Sequence, residues 1–311
     1  MSVNIIEWQA RGKDLYIREL VDMEDYRQVE QIQIQAWGFD ELDVVPSGQL
    51  IAAKWAGAIL LGAFDSERMI GFVYGFPALE DGHVSLHSHM LAVRPESRSL
   101  QAGIYLKLAQ RIKALEQGLD EISWTFDPLQ VLNANLNFSR LGVISHRYIV
   151  NFYGEETSSP LHRGVGTDRL WVRWLISTER VERRIAVITP KEHRVAEPTT
   201  GGQALAPGFA ITEEHLYDSG PSVLVRKGSS WQRLVEPGGR LESEECLIEI
   251  PSDIGALKAT DMEMAQRWRL AVQTAFIQFF ALGFVAREFV RIGSPANSRW
   301  FYLLTLSGVA S

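Results

Sequence analysis

A mixed α/β (α+β) protein with two α/β units is what this chain predicts, and three observations carry that expectation. Between Ser85 and Gly142 a strand-like run (LHSHMLAVRP) passes through an Arg-Ser-Leu-Gln-Ala-Gly turn into an amphipathic helix (LKLAQRIKALEQG), then a second strand (EISWTF) and a helix ending in Leu-Gly. A strand, helix, strand succession returns near the end of the chain. The stretch from Pro190 to Gly208 separates the two with Pro190, Pro198, Thr199, Thr200, Gly201, Gly202, Pro207 and Gly208, a composition that resists regular structure. The expected organisation is therefore a first unit over 1–183, a linker or long loop over 184–210 and a smaller unit over 211–311.

Taken in order, LYIREL from Leu15 reads as a strand, and Asp22 to Trp37 as a helix with Val29, Ile32 and Ile34 apolar, stopped by Gly38. Gly57 to Phe64 and Met69 to Phe76 read as two strands around a tight Asp65-Ser66-Glu67-Arg68 turn. After Gly142, VISHRYIVNFYG reads as a strand, and DRLWVRWLI alternates with Leu170, Val172 and Trp174 on one face. In the second unit, VLVRK and LIEIP are expected as strands on either side of the turn Glu236-Pro237-Gly238-Gly239. Asp261 to Leu282 is expected as a long helix stopped by Gly283, followed by a strand pair, FVAREFVRI and RWFYLLTL. Phe138, Leu141 and Gly142 before VISHRYIV echo Phe279, Leu282 and Gly283 before FVAREFV. The echo leaves open whether the second unit is a degenerate copy of the first or an unrelated α/β unit.

With 311 residues, 46% hydrophobic and 22% charged, the chain has enough apolar surface for one large or two modest cores. A net charge of -7 supplies no basic field, so nucleic acid is not an expected partner. Cys246 is the single cysteine, which excludes an intrachain disulfide and fits a reducing compartment. The N-terminal residues lack a charged head followed by an apolar core, and no run of 18 apolar residues occurs; the expectation is a cytoplasmic protein that does not engage a membrane. Val235 to Arg240 (VEPGGR) lacks the lysine and hydroxyl of a phosphate loop and reads as a turn. His87-Ser88-His89 has no further ligand at a recognisable spacing, and no metal is expected.

Several phrases together (GFVYGFP, LHSHMLAV, WTFDPLQ with Asn133, Ala134 and Asn137, NFYG, DRLWVRW, LIEIP, RWRLA and FFALGF) give a resemblance. The chain resembles the GNAT superfamily of acyl-CoA N-acyltransferases over about residues 14 to 155, and a two-part bacterial branch of it over nearly the whole length. The resemblance implies a GNAT-like twisted mixed sheet that holds acyl-CoA where two neighbouring parallel strands splay apart. It implies that Leu91, Ala92 and Val93 pair with the pantetheine arm as an added strand would. The pyrophosphate would fall on Arg98, Ser99, Leu100, Gln101, Ala102, Gly103 and Ile104, at a helix N-terminus. Arg98 and Gly103 match the superfamily's turn, whereas Gln101 stands where a glycine would allow positive φ and close phosphate approach. Phe138 stands where many members place a tyrosine that protonates the leaving thiolate. Asn133 and Asn137 reach the pantetheine or acyl group, or cap the helix and loop.

Attack on a thioester needs a neutral amine, so a base must take a proton. His87 and His89 lie on one strand face just before the proposed splay, as bases or as half-buried, hydrogen-bonded strand residues. Asp127, at the carboxyl end of EISWTF, is a second candidate base or the cap of the Pro128 turn. Arg147, Tyr148, Tyr153, Arg169 and Arg173 follow and suit a carboxylate-bearing substrate, or are ordinary surface groups; Trp171 and Trp174 suit core or a subunit interface. The expected activity is transfer of an acyl group from acetyl-CoA or succinyl-CoA to a primary amine of a small molecule such as an amino acid, by direct attack in a ternary complex. The alternative is a non-catalytic binding or assembly protein of the same fold that has lost efficient CoA binding. A homodimer fits either.

Overall fold

The computed structural model describes residues 4–80, 82–154, 164–188, 221–227, 230–234, 243–294 and 297–307. The chain opens with a hairpin, β1 (Ile6–Ala10) and β2 (Lys13–Glu19), of which only the second strand is legible in the sequence. Helix α1 (Met23–Trp37) begins where the Asp22 carboxylate accepts from Asp25 N, and ends at Gly38 with φ 67°. These are the start and stop the sequence predicts. Helix α2 (Ser47–Trp55) escapes the sequence reading because Leu50 is its one buried large apolar residue, so it carries little periodicity.

Strands β3 (Ile59–Asp65) and β4 (Arg68–Glu80) form the expected hairpin, with β4 longer than its apolar run because its polar end still pairs with β5 (His83–Val93). A 3₁₀ turn (Pro95–Leu100) leads into α3 (Ala102–Glu116), then β6 (Glu121–Phe126) and α4 (Val131–Ala134), which continues as a π-helical stretch to Leu141. Gly142, φ 75°, ends it before β7 (Ile144–Ile149) and β8 (Arg169–Leu175). On β8, Leu170, Val172 and Trp174 are fully buried, as the alternation predicts. Helix α5 (Glu179–Ile188) was not anticipated and runs through the unit boundary expected near Arg183. The Pro190–Gly208 stretch and the Val235–Arg240 turn lie outside the described residues.

The remaining elements are β9 (Val223–Lys227), β10 (Ser230–Arg233), β11 (Glu245–Ile250), α6 (Ile254–Thr260), α7 (Met262–Ala281), β12 (Phe284–Ile292) and β13 (Arg299–Leu306). Of these, β10 and α6 are too short for a distinct sequence pattern. All strands join one sheet in the order β1-β2-β3-β4-β5-β6-β8-β7-β12-β13-β11-β9-β10. Its last strands repeat the order of β6-β8-β7 in mirror image, as β12-β13-β11. In each trio the chain runs strand, helix, glycine with positive φ (Gly142, Gly283), strand, and inserts the final strand between the other two. One difference matters: β11 is closed on its outer side by β9 through three antiparallel pairs, whereas β6 has the parallel neighbour β5.

The seam between the halves has a single ladder pair, Ser145 with Ala286, so side chains do most of the joining. Phe138 of α4 packs edge-on against Tyr302 at 5.4 Å, and Tyr148 stacks on Phe276 at 5.6 Å. Arg184 holds both Glu288 oxygens at 2.6 and 2.5 Å, and Ser139 Oγ donates to Phe289 O at 2.7 Å. One apolar core therefore runs from α3 and β6 through α4 into α7, β12 and β13. Among the described residues no helix is long and apolar enough to cross a membrane.

Because Phe138 is fully buried between Phe126 and Tyr302, Phe138→Ala should cost about 3–5 kcal/mol. Urea unfolding measures it, and a loss under ~1 kcal/mol would contradict a shared core at this seam.

Candidate active site

Strands β5 and β6 pair in parallel only at Leu86 with Ile122 and His87 with Ser123. Beyond those pairs they part, and the edge of β5 facing β6 carries no further ladder from Ser88 to Val93. The cause sits on the other side of β5. There the β4–β5 register slips between Tyr74 and Phe76, which puts Ser88 and His89 together opposite Gly75. Such a bulge bends the strand and increases its twist. Gly75 is obligatory at this point, since a Cβ there would lie 2.8 Å from Gln110 Nε2, 3.0 Å from His87 O and 3.2 Å from Ser88 Cα. The widening gap between β5 and β6 is the splay that the sequence resemblance implies.

The first turn of α3 leans on one wall of the gap. A Cβ at Gly103 would be 3.6 Å from Leu91 Cδ2 and 3.9 Å from Val93 Cγ2, ordinary contact distances that show the helix packed directly on the strand. Gln101 precedes the helix with φ 62° and ψ 13°, the left-handed geometry glycine would adopt at lower cost. The turn thus takes the left-handed conformation with a non-glycine residue carrying the strain. It is braced from below: Trp8 Nε1 donates to Leu100 O at 2.9 Å, and the Trp8 ring stacks on Tyr105 at 4.8 Å. Arg98 and Ser99 are exposed beside the turn, Ala102 and Ile104 are buried under it, and Ala92 faces the α1 side of the sheet. Asn133 is exposed on α4, whereas Asn137 is buried and its carbonyl accepts from Val143 N.

On the sheet face away from α3, the bulge brings His87 and His89 into an aromatic group. The His87 ring lies 5.1 Å from Trp171 and 5.5 Å from Phe76, and His89 lies 5.6 Å from Phe76 and 6.0 Å from Tyr74. Arg147, paired with Glu80, sits over Trp171 at 5.2 Å. Burial pushes the His87 pKa down to about 4, helped by nearby His89 and Lys107; its Nδ1 is 3.2 Å from Ser123 Oγ. His89 is also lowered by burial but keeps an exposed edge. Both imidazoles are therefore neutral near pH 7. Arg173, on the same face, is held bidentate by Glu121.

The opposite face of the vertex carries a group that the sequence reading missed. Lys107, from the middle of α3, is buried and reaches across the point where the strands part. Its Nζ donates to Ser88 Oγ of β5 at 2.7 Å, lies 3.4 Å from Gln110 Oε1, and sits 3.6 Å from the centre of the Trp124 ring of β6. A desolvated cation–π contact is worth ~2 kcal/mol. Burying an unpaired ammonium costs several kcal/mol. Burial accordingly pushes the lysine pKa well below its ordinary value, favouring the neutral amine. A signal was present in the sequence: Lys107 stands three residues after Ile104 and seven before Ala114, on the stripe that packs inward.

The other expected site residues gather at the carboxyl ends of β6 and β7, against the second half. Asp127 is buried, accepts from Leu129 N at 3.0 Å and pairs with Arg269 of α7 at 2.8 Å. It thus caps the Pro128 turn and also clasps the two halves. Tyr148 OH donates to Asp168 Oδ2 at 2.8 Å, and Gln273 of α7 donates to the same oxygen at 3.2 Å. Arg169 lies 5.0 Å from the Tyr153 ring centre and is lowered by burial. Of the five expected substrate groups, Arg147 and Arg173 lie on the histidine face, each paired with a carboxylate. Phe138 packs under Tyr302, whose hydroxyl donates to Pro128 O at 2.7 Å. Among the described residues no group of three or more His, Cys, Asp or Glu could hold a metal.

No protein-family model matches the chain, and neither does any curated protein. Solved structures similar in fold include a Desulfovibrio desulfuricans protein described as a GNAT-family acetyltransferase, with 13% identity over 52% of this chain and 99% of that one, TM-score 0.43. A ribosomal-protein alanine N-acetyltransferase from Escherichia coli gives 15% identity over 53% and 95%, TM-score 0.43. An aminoglycoside 6'-N-acetyltransferase from Enterococcus faecium gives 16% over 52% and 97%, TM-score 0.40. The chain's mixed sheet and its splayed parallel pair have the form expected from its sequence phrases.

Two outcomes follow from this geometry. Gly75→Ala should destabilise by about 1–3 kcal/mol through overpacking at the bulge, read by urea unfolding. For His87, only the unfolded chain takes up a proton as pH falls from 6.5 to about 4. This residue therefore contributes no penalty above pH 6.5 and lowers stability by at most ~1.4 kcal/mol per pH unit within that window. His87→Gln should flatten the stability profile there, and an unchanged slope would place the titration elsewhere.

Proposed function

We propose that the chain is an N-acyltransferase that moves an acyl group from acyl-CoA to a primary amine of a small molecule. The observation that carries this reading is the end of the β5–β6 ladder at His87 and Ser123, which leaves one strand edge open beside a helix N-terminus. An extended pantetheine arm would add to that edge along Leu91 to Val93, and the pyrophosphate would meet the first amides of α3 at the Gln101 turn. Arg98 is close enough in sequence to add a guanidinium there. Coenzyme A supplies the activated thioester.

The acceptor would enter from the opposite face. Phe76, Trp171 and the two neutral imidazoles offer ring faces that attract an ammonium group. His89, with its exposed edge, would then take the proton, because His87 binds one only at about pH 4. The amine attacks the thioester carbonyl, the oxyanion is stabilised by a β5 backbone amide, and the C–S bond breaks. A thiol of pKa about 8.5 can depart as thiolate, so Phe138 in place of an acid does not block the step. Arg147 over Trp171 suits the carboxylate of an amino acid acceptor, with acetyl-CoA and succinyl-CoA as the donors to test first. Asp127, held by Arg269, is assigned to the clasp between the halves.

Calorimetry with CoA and acetyl-CoA tests the reading, and absence of binding at millimolar ligand would favour a non-catalytic binding or assembly protein instead. If CoA binds, Gln101→Gly should tighten it about fivefold, equivalent to about 1 kcal/mol, through closer phosphate approach. His89→Ala should lower thiol release over an amine panel by about 10²-fold or more with CoA affinity unchanged, and should remove the fall in rate on the acid side of the profile. Rates that do not respond would take His89 out of this role.

A further inference from the structure

Lys107 has no part in the reaction above, yet it occupies the vertex of the gap. Its amine touches both strands that part there, Ser88 of β5 and the Trp124 ring of β6, and the side chain is buried. Every partner given above for it is uncharged. Beside it, Gln110 is fully buried and its Nε2 has no hydrogen-bond partner among the described residues, while its Oε1 accepts from Ser88 Oγ at 2.8 Å. That orphaned donor points into the bulge, next to the place a Gly75 Cβ would fill. A buried donor without a partner is costly, so the polar atoms around the amine are not all satisfied within the fold.

We propose that Lys107 is a self-acylation site: an acyl thioester seated in the gap transfers its acyl group to Lys107 Nζ, which touches both strands that part there. The inference rests on the acyl-CoA reading above. The Nζ lone pair attacks the carbonyl carbon, the C–N bond forms and the C–S bond breaks. The amine proton goes to the departing thiolate, so the products are an N-acyl-lysine and free CoA. Unlike a thioester or ester, the resulting amide does not pass the acyl group on. It fills the vertex and removes the amine, so the modified chain cannot seat a second donor at full depth. The device limits the enzyme's own turnover when acyl-CoA is plentiful and acceptor is scarce.

The test incubates the full chain with acetyl-CoA in the absence of an amine, follows the intact mass, and maps the acetylated residue. One acetyl group per chain at Lys107 is expected, at a rate that saturates with acetyl-CoA, is blocked by excess CoA and exceeds that of exposed Lys13 by at least about tenfold. Thiol release with an acceptor amine should then decline in step with the modification, and Lys107→Met should abolish the decline. Unmodified Lys107 in a chain that binds CoA by calorimetry would overturn the proposal and leave the transferase reading intact. Acetylation spread over surface lysines at a rate linear in donor would overturn it as well. No CoA binding at all would overturn both. Should Lys107→Met fail to fold, residue mapping on the unaltered chain decides the question alone.

Discussion

A one-residue slip in the pairing of β4 with β5 governs the functional half of this protein. Because Ser88 and His89 stand together opposite Gly75, β5 turns away from β6 after two ladder pairs, and the sheet opens between them. The slip also reverses the facing of residues along β5. Ser88 points to α3 and Lys107, whereas His89 joins His87 on the aromatic face, and Leu91 and Val93 return to the α3 side against Gly103. The unpaired strand edge, the histidine pair and the buried amine all take their positions from this single irregularity.

The second half acts as a buttress for the open region. It covers α4 and the ends of β6 and β7 with α7 and β13, using Tyr302 under Phe138 and Arg269 on Asp127. Its strand order repeats that of β6, β8 and β7, but β9 seals the edge of β11 that would correspond to the gap. A strand paired on both sides cannot accept an added pantetheine arm. The open strand edge thus lies in the first half, and the polar residues at the seam are engaged in holding the halves together. A buried pair such as Asp127 and Arg269 is strongly destabilising to break, which suits a clasp better than a proton-shuttling group.

Much of the fold was legible in the sequence because it depends on local patterns. Asp22 and Gly38 bracket α1 with a carboxylate cap and a left-handed glycine, and β8 alternates cleanly because one face is core. The histidine pair was legible as a candidate from its position before the splay. Lys107 was not singled out, since a lysine within an amphipathic helix reads as solvated unless its stripe is followed inward. The substrate role expected of Tyr148, Tyr153 and Arg169 depended on a partner half whose α7 reaches Asp168 and Val165 from over a hundred residues away. No local pattern contains that contact.

The sequence alone determined most of the strands and the helices α1, α3 and α7, and that Gln101 stands where a glycine would allow positive φ, because periodicity, capping and turn chemistry act between near neighbours. It also determined that the opening turn resembles an acyl-CoA site. Tertiary structure decided where the sheet opens, which histidine keeps an exposed edge, that Asp127 is held by Arg269, and that a lysine amine is buried at the vertex. The physical reason is that burial and pairing are set by elements distant in the chain, and those two quantities fix the protonation and reach of every group at the site.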